Sequence, residues 1–394
     1  MVTAVRRFLI AVVVLVAGTI GGLALFFAFT TPRKPLGFSV PLGTREWAML
    51  VRVPQSAEAF VLVPAAGALD AKLRANPVSR AALESWTASH RVPPAWMIGG
   101  ADLLVWKTGS AFGTFMDVDA VRGFLLHLVR SGGSEPPDES PIDAASLGQI
   151  AHLASKLPPG DALVVQRGTS RGAYPPIGRP AVTSLQVTAT DIRMVSVAPA
   201  PAEAPAVRLN PALRLPTSPV LSVAFSYAPR VIADLDRLFG ANVSSLLQDG
   251  GMVSIYAVKT GTFLPRPLGV IAVPDDPARR AVFDQFARRL GVRTGEFRGM
   301  LLLSFDDSID AFMRDSFQPA PEGRWAVRID PARMVPILKA LGKSLGLRVV
   351  APRLYRSARD LDRWIGGLEQ AKAVEAVDDA AGDTESLRVR IWAK

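Results

Sequence analysis

The 394-residue sequence contains no cysteine. That one absence removes disulfides, thiolate metal sites, a cysteine nucleophile and a lipid-modified cysteine. It does not choose a compartment, because a chain without thiols folds in reducing and oxidising surroundings alike. Histidine is scarce too: the only three are His90, His127 and His152, far apart in sequence, so metal chemistry has no cluster to start from. Charged residues are 20% of the chain against 49% hydrophobic. That balance allows a packed core and argues against wholesale disorder. There is no phosphate-cradling glycine loop and no dinucleotide fingerprint, so the sequence calls for no cofactor.

Three fragments of catalytic motifs are present without their partners. Lys107-Thr108-Gly109 and Lys259-Thr260-Gly261 carry the triplet of penicillin-recognising serine enzymes. That chemistry also needs Ser-x-x-Lys and a Ser-Asp-Asn element, and neither occurs. Gly168-Thr169-Ser170-Arg171-Gly172 matches a nucleophile elbow, but Pro175 and Pro176 block the helix the elbow must open, and every histidine precedes it. The pairs Asp275-Asp276, Asp306-Asp307 and Asp378-Asp379 fall at helix starts or turns, where carboxylates cap N–H groups. No catalytic or metal-binding residue is assigned.

The net charge of +10 suggests nucleic acid until it is located. Part of it, Arg6, Arg7, Arg33 and Lys34, flanks an apolar run, and the bases are mostly arginine. No dense basic face with aromatic readers is visible, so nucleic acid is not an expected partner. Between Phe8 and Phe29 no residue is charged. At ~1.5 Å per residue such a helix crosses the ~30 Å hydrocarbon core. It is longer than a signal-peptide core and ends in Phe26-Phe27-Ala28-Phe29 rather than a small-x-small site. The expectation is a cytoplasmic leader over 1–7, a single-pass anchor over 8–29 in the inner membrane, and the bulk of the chain extracytoplasmic. Gly18 and Gly22 form a Gly-x-x-x-Gly pair, more simply read as ordinary membrane glycines than as a dimer contact.

Beyond a tether over 30–45, the pattern is α+β. Strands are expected at Trp47–Val53, Ala59–Val63, Asp102–Lys107, Phe112–Met116 and Ala162–Gln166, with a hairpin of Val182–Val187 against Ile192–Val197. Helical spacing runs through Leu69–Leu73, Val78–Trp86, Val118–Val129 and Ile142–Leu157. A proline-rich linker over 199–218 separates this half, 46–198, from 219–394. The second half repeats the order: strand Val220–Phe225, helix Arg230–Phe239, strand Met252–Lys259, strand Leu268–Val273, helix Pro277–Leu290, strand Met300–Phe305, helix Ser308–Phe317 and strand Trp325–Ile329. A closing hairpin pairs Ala373–Val377 with Leu387–Trp392. The reading is two similar domains, each a mainly antiparallel sheet with helices on one face, and Lys107 and Lys259 at the same strand end in both. If Lys107 and Lys259 stand at non-equivalent positions, the duplication reading fails with them.

A helical insertion over 331–371 has no counterpart in the first half. Within it Arg348, Arg353, Arg356, Arg359 and Arg363 gather positive charge, and the last three share one helical face. They are the candidate contact for an anionic lipid or cell-wall polymer; a solvated helix surface is the plainer reading.

The stretch Pro54-Gln55-Ser56-Ala57-Glu58-Ala59-Phe60-Val61-Leu62-Val63-Pro64, continued by Leu69-Asp70-Ala71-Lys72-Leu73 and Ala75-Asn76-Pro77-Val78-Ser79-Arg80, resembles a bacterial family. Its members are membrane-anchored proteins of unknown function with a duplicated α+β extracytoplasmic domain. The resemblance covers residues 50–130, rests on structural motifs, and brings no catalytic residues. It implies an anchored envelope protein that binds or scaffolds, with an envelope protein as a further candidate partner. Two alternatives stay open: an envelope hydrolase with an unrecognised site, and a carrier of a lipid or other apolar ligand.

Overall fold

The computed structural model describes residues 37–87, 101–109, 111–117, 140–167, 180–200, 207–210, 213–226, 250–259, 266–304, 306–343 and 365–394. The apolar run 8–29, the helices expected at Val118–Val129 and Arg230–Phe239, and the Gly168–Gly172 motif lie outside them. Among the described residues no helix is long and apolar enough to cross a membrane.

The fold is α+β and its main sheet is antiparallel throughout. In the first half the strands are β1 (Ala59–Val63), β2 (Asp102–Thr108), β3 (Ala111–Asp117), β4 (Ala162–Arg167), β5 (Pro180–Val187) and β6 (Asp191–Pro199). They lie in the order β3-β2-β1-β4-β5-β6. A short strand β7 (Arg214–Pro216) leads into β8 (Leu221–Phe225), β9 (Gly251–Lys259), β10 (Arg266–Pro274), β11 (Arg293–Phe297) and β12 (Met300–Ser304). Then come β13 (Phe317–Pro319), β14 (Trp325–Ile329), β15 (Ala371–Ala381) and β16 (Thr384–Ala393). Strands β10-β9-β8-β14-β15-β16 repeat the order of the first half, and β12 and β11 continue beyond β10. The two runs meet where β6 pairs with β16, so all 14 strands form one sheet.

The pairing at that seam runs from Pro199 opposite Thr384 to Asp191 opposite Trp392, with Val195 opposite Arg388 near its centre. Strands β1 and β8 match in detail. Both alternate in burial in the same order, as a period-2 strand with one side toward each layer must. Leu62 of β1 faces Leu104 of β2, and Ala224 of β8 faces Met252 of β9; all four are buried.

The lysine marks do not match. Lys107 faces Ala59, the first residue of β1. The corresponding place opposite Leu221 on β9 belongs to Ile255, and Lys259 lies farther out, paired only with Arg266 of β10. The β9–β10 ribbon extends beyond β8 and carries a register shift at Leu268/Gly269. Thr-Gly turn chemistry marks where a strand ends, not where its ladder begins.

Helices cover both faces of the sheet, not one. On one face, α1 (Thr44–Leu50) and α4 (Ala144–Ala154) pack Met49, Leu50, Ile150 and Leu153 against Phe60, Leu62, Leu104 and Trp106. On the opposite face, α2 (Ala66–Ala75) and α3 (Pro77–Thr87) place Leu69 and Val78 with Val63, Val187 and Ile192. Two helices divide in the same way over the second half: α5 (Pro277–Leu290) buries Phe283 against Phe225 and Leu303, and α6 (Ser308–Met313) buries Phe312 near Met252 and Ala272. Strand residues alternate sides, so each half of the sheet needs two covers.

Residues Trp47–Val53, expected as a strand, begin within helix α1. Their alternating apolar residues also satisfy helical spacing, with Met49, Leu50 and Val53 buried together. A capping arrangement decides between the two: Glu46 Oε2 accepts from the Gly43 backbone N–H at 2.9 Å and from Ser39 Oγ at 2.9 Å. Arg45 on the same helix reaches the buried Asp102 of β2, with Nε donating to Oδ2 at 2.8 Å. Upstream, part of the expected tether is core, since Phe38 is buried with Leu50 and Leu153. Part of the expected linker is structured too. Leu209 and Leu215 are buried, and β7 pairs with β13 in a separate ribbon.

Between β14 and β15 stand α7 (Pro331–Leu341) and α8 (Ile365–Glu369), the described ends of the expected insertion. Lys339 of α7 donates to Glu369 of α8 at 2.6 Å. Helix α8 crosses the seam to pack on α3, and Gly367 lies so near that a Cβ there would stand 3.1 Å from the Val78 carbonyl oxygen.

Candidate binding pocket

Arg348, Arg353, Arg356, Arg359 and Arg363 lie outside the described residues. The structure therefore gives no geometry for the anionic contact expected there. The lysines of the repeated triplet are placed on β2 and β9, but at different ladder positions.

Three clusters of charged groups were not foreseen. At one end of the seam the buried Asp191 accepts from Thr188 Oγ1 at 2.6 Å, from Arg193 Nε at 3.0 Å and from Arg390 Nε at 2.9 Å. Burial pushes this carboxyl up, but the hydroxyl and the two guanidinium groups outweigh it, and its pKa falls below the ordinary aspartate value. At the other end Arg324, only 3% exposed, donates to Asp378 at 2.8 Å and to Glu385 at 3.2 Å. Here burial dominates. The Asp378 carboxyl is pushed up to about 6 while Arg324 pulls it down and Glu385 and Asp379 push it higher. Both clusters tie β16 to its neighbours, and every charge in them has a structural partner.

The third cluster centres on Asp315, after α6. It accepts from Tyr256 Oη at 3.1 Å, from Thr217 Oγ1 at 3.2 Å and from Ser218 Oγ at 2.8 Å. Burial, with Asp315 beside it, raises the Tyr256 phenol well above its ordinary value, so it remains a proton donor. Arg333 of α7 adds hydrogen bonds to the carbonyl oxygens of Ser218 and Tyr256. The cluster fastens the segment before β8 onto β9.

One cavity has a different character. It lies at the outer edge of the sheet, has a volume of about 220 Å³, and is lined by Leu213, Pro274, Phe297, Met300, Phe312 and Phe317 together with Asn210, Arg214, Arg298 and Gly299. Its wall is an aromatic triad. Phe297 and Phe312 meet edge to face at 6.0 Å between ring centres and Phe312 and Phe317 edge to face at 5.3 Å, while Phe297 and Phe317 lie tilted to each other at 5.4 Å. The Arg298 guanidinium lies 4.9 Å from the Phe297 ring centre and 5.1 Å from that of Phe317. Among the described residues, neither Arg214 nor Arg298 forms an ion pair.

Strands β11 and β12 make this site possible. Phe297 pairs with Met300, so Arg298-Gly299 is a two-residue hairpin turn. Both residues have positive φ, 51° and 74°, as a type I′ turn requires. Glycine or asparagine suits the first position; arginine there carries strain. Sequence reasoning missed β11 because Arg293–Phe297 is an exposed edge with little alternation. The readable signal was Arg298-Gly299 between Phe297 and Met300.

Among the described residues no group of three or more His, Asp or Glu could hold a metal ion. No family of known proteins, no curated protein and no solved structure matches the chain.

Proposed function

We propose that this chain is a membrane-anchored, extracytoplasmic binding protein of the bacterial envelope, built from a duplicated α+β unit. Support for the duplication comes from the six-strand order shared by β3-β2-β1-β4-β5-β6 and β10-β9-β8-β14-β15-β16. The lysines stand at non-equivalent positions, so the duplication argued from them fails; the duplication proposed here rests instead on the strand order and on the matched pairs Leu62–Leu104 and Ala224–Met252. Support for anchoring comes from the uncharged run Phe8–Phe29 and its arginine flank.

The observation that carries binding is the aromatic cavity with two cations at its lining. Apolar walls with a few polar groups are the usual make-up of a ligand site. A periplasm-only reporter fused to the carboxyl terminus tests anchoring and export. The expected outcome is an active reporter in the membrane fraction, and activity confined to a cytoplasmic reporter overturns it. Within the same reading, Arg356, Arg359 and Arg363 contact an anionic surface. Replacing all three by serine then weakens binding to anionic vesicles, and unchanged binding removes that element.

A further inference from the structure

Resting on the binding reading above, we infer that the cavity at the β11–β12 turn takes a small amphipathic acid. A short apolar body lies on the phenylalanines, and its single anionic group is held by Arg214 and Arg298. Three independent features converge on this class of ligand.

The first is size. At about 220 Å³ the cavity falls below the ~300–1,000 Å³ typical of sites for drug-sized ligands. It suits one ring or a short acyl segment. The second is charge. Both cations of the lining are arginines without an ion pair among the described residues, and a planar guanidinium matches a carboxylate in a two-point contact. Stacking on Phe297 and Phe317 holds Arg298 beside the apolar wall, so one ligand can meet ring faces and guanidinium together.

The third feature is strain. Arg298 occupies a left-handed position at φ 51°, where asparagine or glycine would be at ease. A turn selected for stability alone has no use for arginine here. A backbone outlier kept beside a cavity, with its side chain over two aromatic rings, is the pattern of a residue retained for what it contacts.

The test uses the full chain in nanodiscs, with empty nanodiscs as reference. The probes are 4-phenylbutyrate and its uncharged counterpart 4-phenylbutanol, followed by ligand-observed NMR titration. The acid binds saturably with a Kd on the order of 1 mM or tighter, and the alcohol binds about tenfold more weakly. Arg298→Asn, which suits the turn and therefore folds, weakens the acid about fivefold or more and leaves the alcohol unchanged. Arg214→Gln, outside the turn, does the same. No saturable binding of the acid, equal affinity for acid and alcohol, or full affinity in both variants overturns the inference. The reporter experiment reads anchoring separately, so a failed titration there leaves the envelope assignment standing.

Discussion

The two halves of the sheet share a strand order but fill their interiors from different sources. In the first half the strands supply the bulk. Phe60 of β1 lies opposite Trp106 of β2, and the Trp106 ring covers Gly113 of β3, where a Cβ would come within about 2 Å of it. In the second half the same places on β8 and β9 hold Ser222 and Ser254, buried and opposite each other. The aromatic bulk comes instead from outside those strands: Phe297 on β11, Phe312 on α6 and Phe317 on β13. Helix α4 packs over β5 and β6, next to the seam, whereas α6 packs over β10, β11 and β12 at the outer edge. A core filled from added elements leaves space where they meet, and that space is the pocket.

This contrast can be tested by truncation. Phe60→Ala lowers stability by about 3–5 kcal/mol, the usual cost of deleting a buried aromatic ring, and Phe312→Ala does the same. Ser222→Ala, at the position matching Phe60, costs about 1 kcal/mol or less. Equal losses at Phe60 and Ser222 in chemical denaturation would break the comparison.

The seam offers the next contrast. Arg324 is buried against Asp378 and Glu385, while Arg193 and Arg390 around Asp191 are each more than 40% exposed at the side chain. Arg324→Leu strands two carboxylates in the interior and costs about 3 kcal/mol. Asp191→Asn costs less, because its two arginines can return to water. The reverse ranking would show that the buried cluster is open to solvent.

Asp378 gives a smaller, pH-dependent effect. Its folded pKa of about 6 lies above the ordinary value, so between these two the folded state binds the extra proton. The penalty of burying the charged carboxylate is fully present above about pH 6 and is relieved as pH falls toward 4. Asp143, Asp191 and Asp383 are shifted downward; their contribution is present above the unfolded value and is lost only as pH falls through still lower folded values. Stability of the native chain relative to Asp378→Asn therefore rises from pH 7 to pH 5, by on the order of 1 kcal/mol. A flat difference across that window would contradict the assignment. Smallest of all, Arg298→Asn relieves the turn and raises stability by about 1 kcal/mol, while the same change weakens binding of the acid.

Much of the sheet was legible because alternation is local. Strands β1, β2 and β4 and the two closing hairpins follow directly from their apolar periods. Trp47–Val53 failed because its apolar residues satisfy both periods, and the deciding contact is the capping carboxylate of Glu46. The repeated Lys-Thr-Gly misled because β9 runs farther past the end of β8 than β2 runs past the end of β1. The pocket was not legible at all. Phe297, Phe312 and Phe317 come from three separate elements and Leu213 from the residue before β7, and only the folded chain brings them to one wall.

That the halves form one sheet through β6 and β16 can be measured directly, because the native chain has no thiol to interfere. In a chain carrying Val195→Cys and Arg388→Cys the two side chains face each other across the seam, within reach of a disulfide after slight closure. Mild oxidation should join them within one molecule, and much faster than in a chain carrying Val195→Cys and Arg390→Cys, which are offset along the strand. Equal rates for the two pairs, or cross-linking only between molecules, would contradict the continuous sheet.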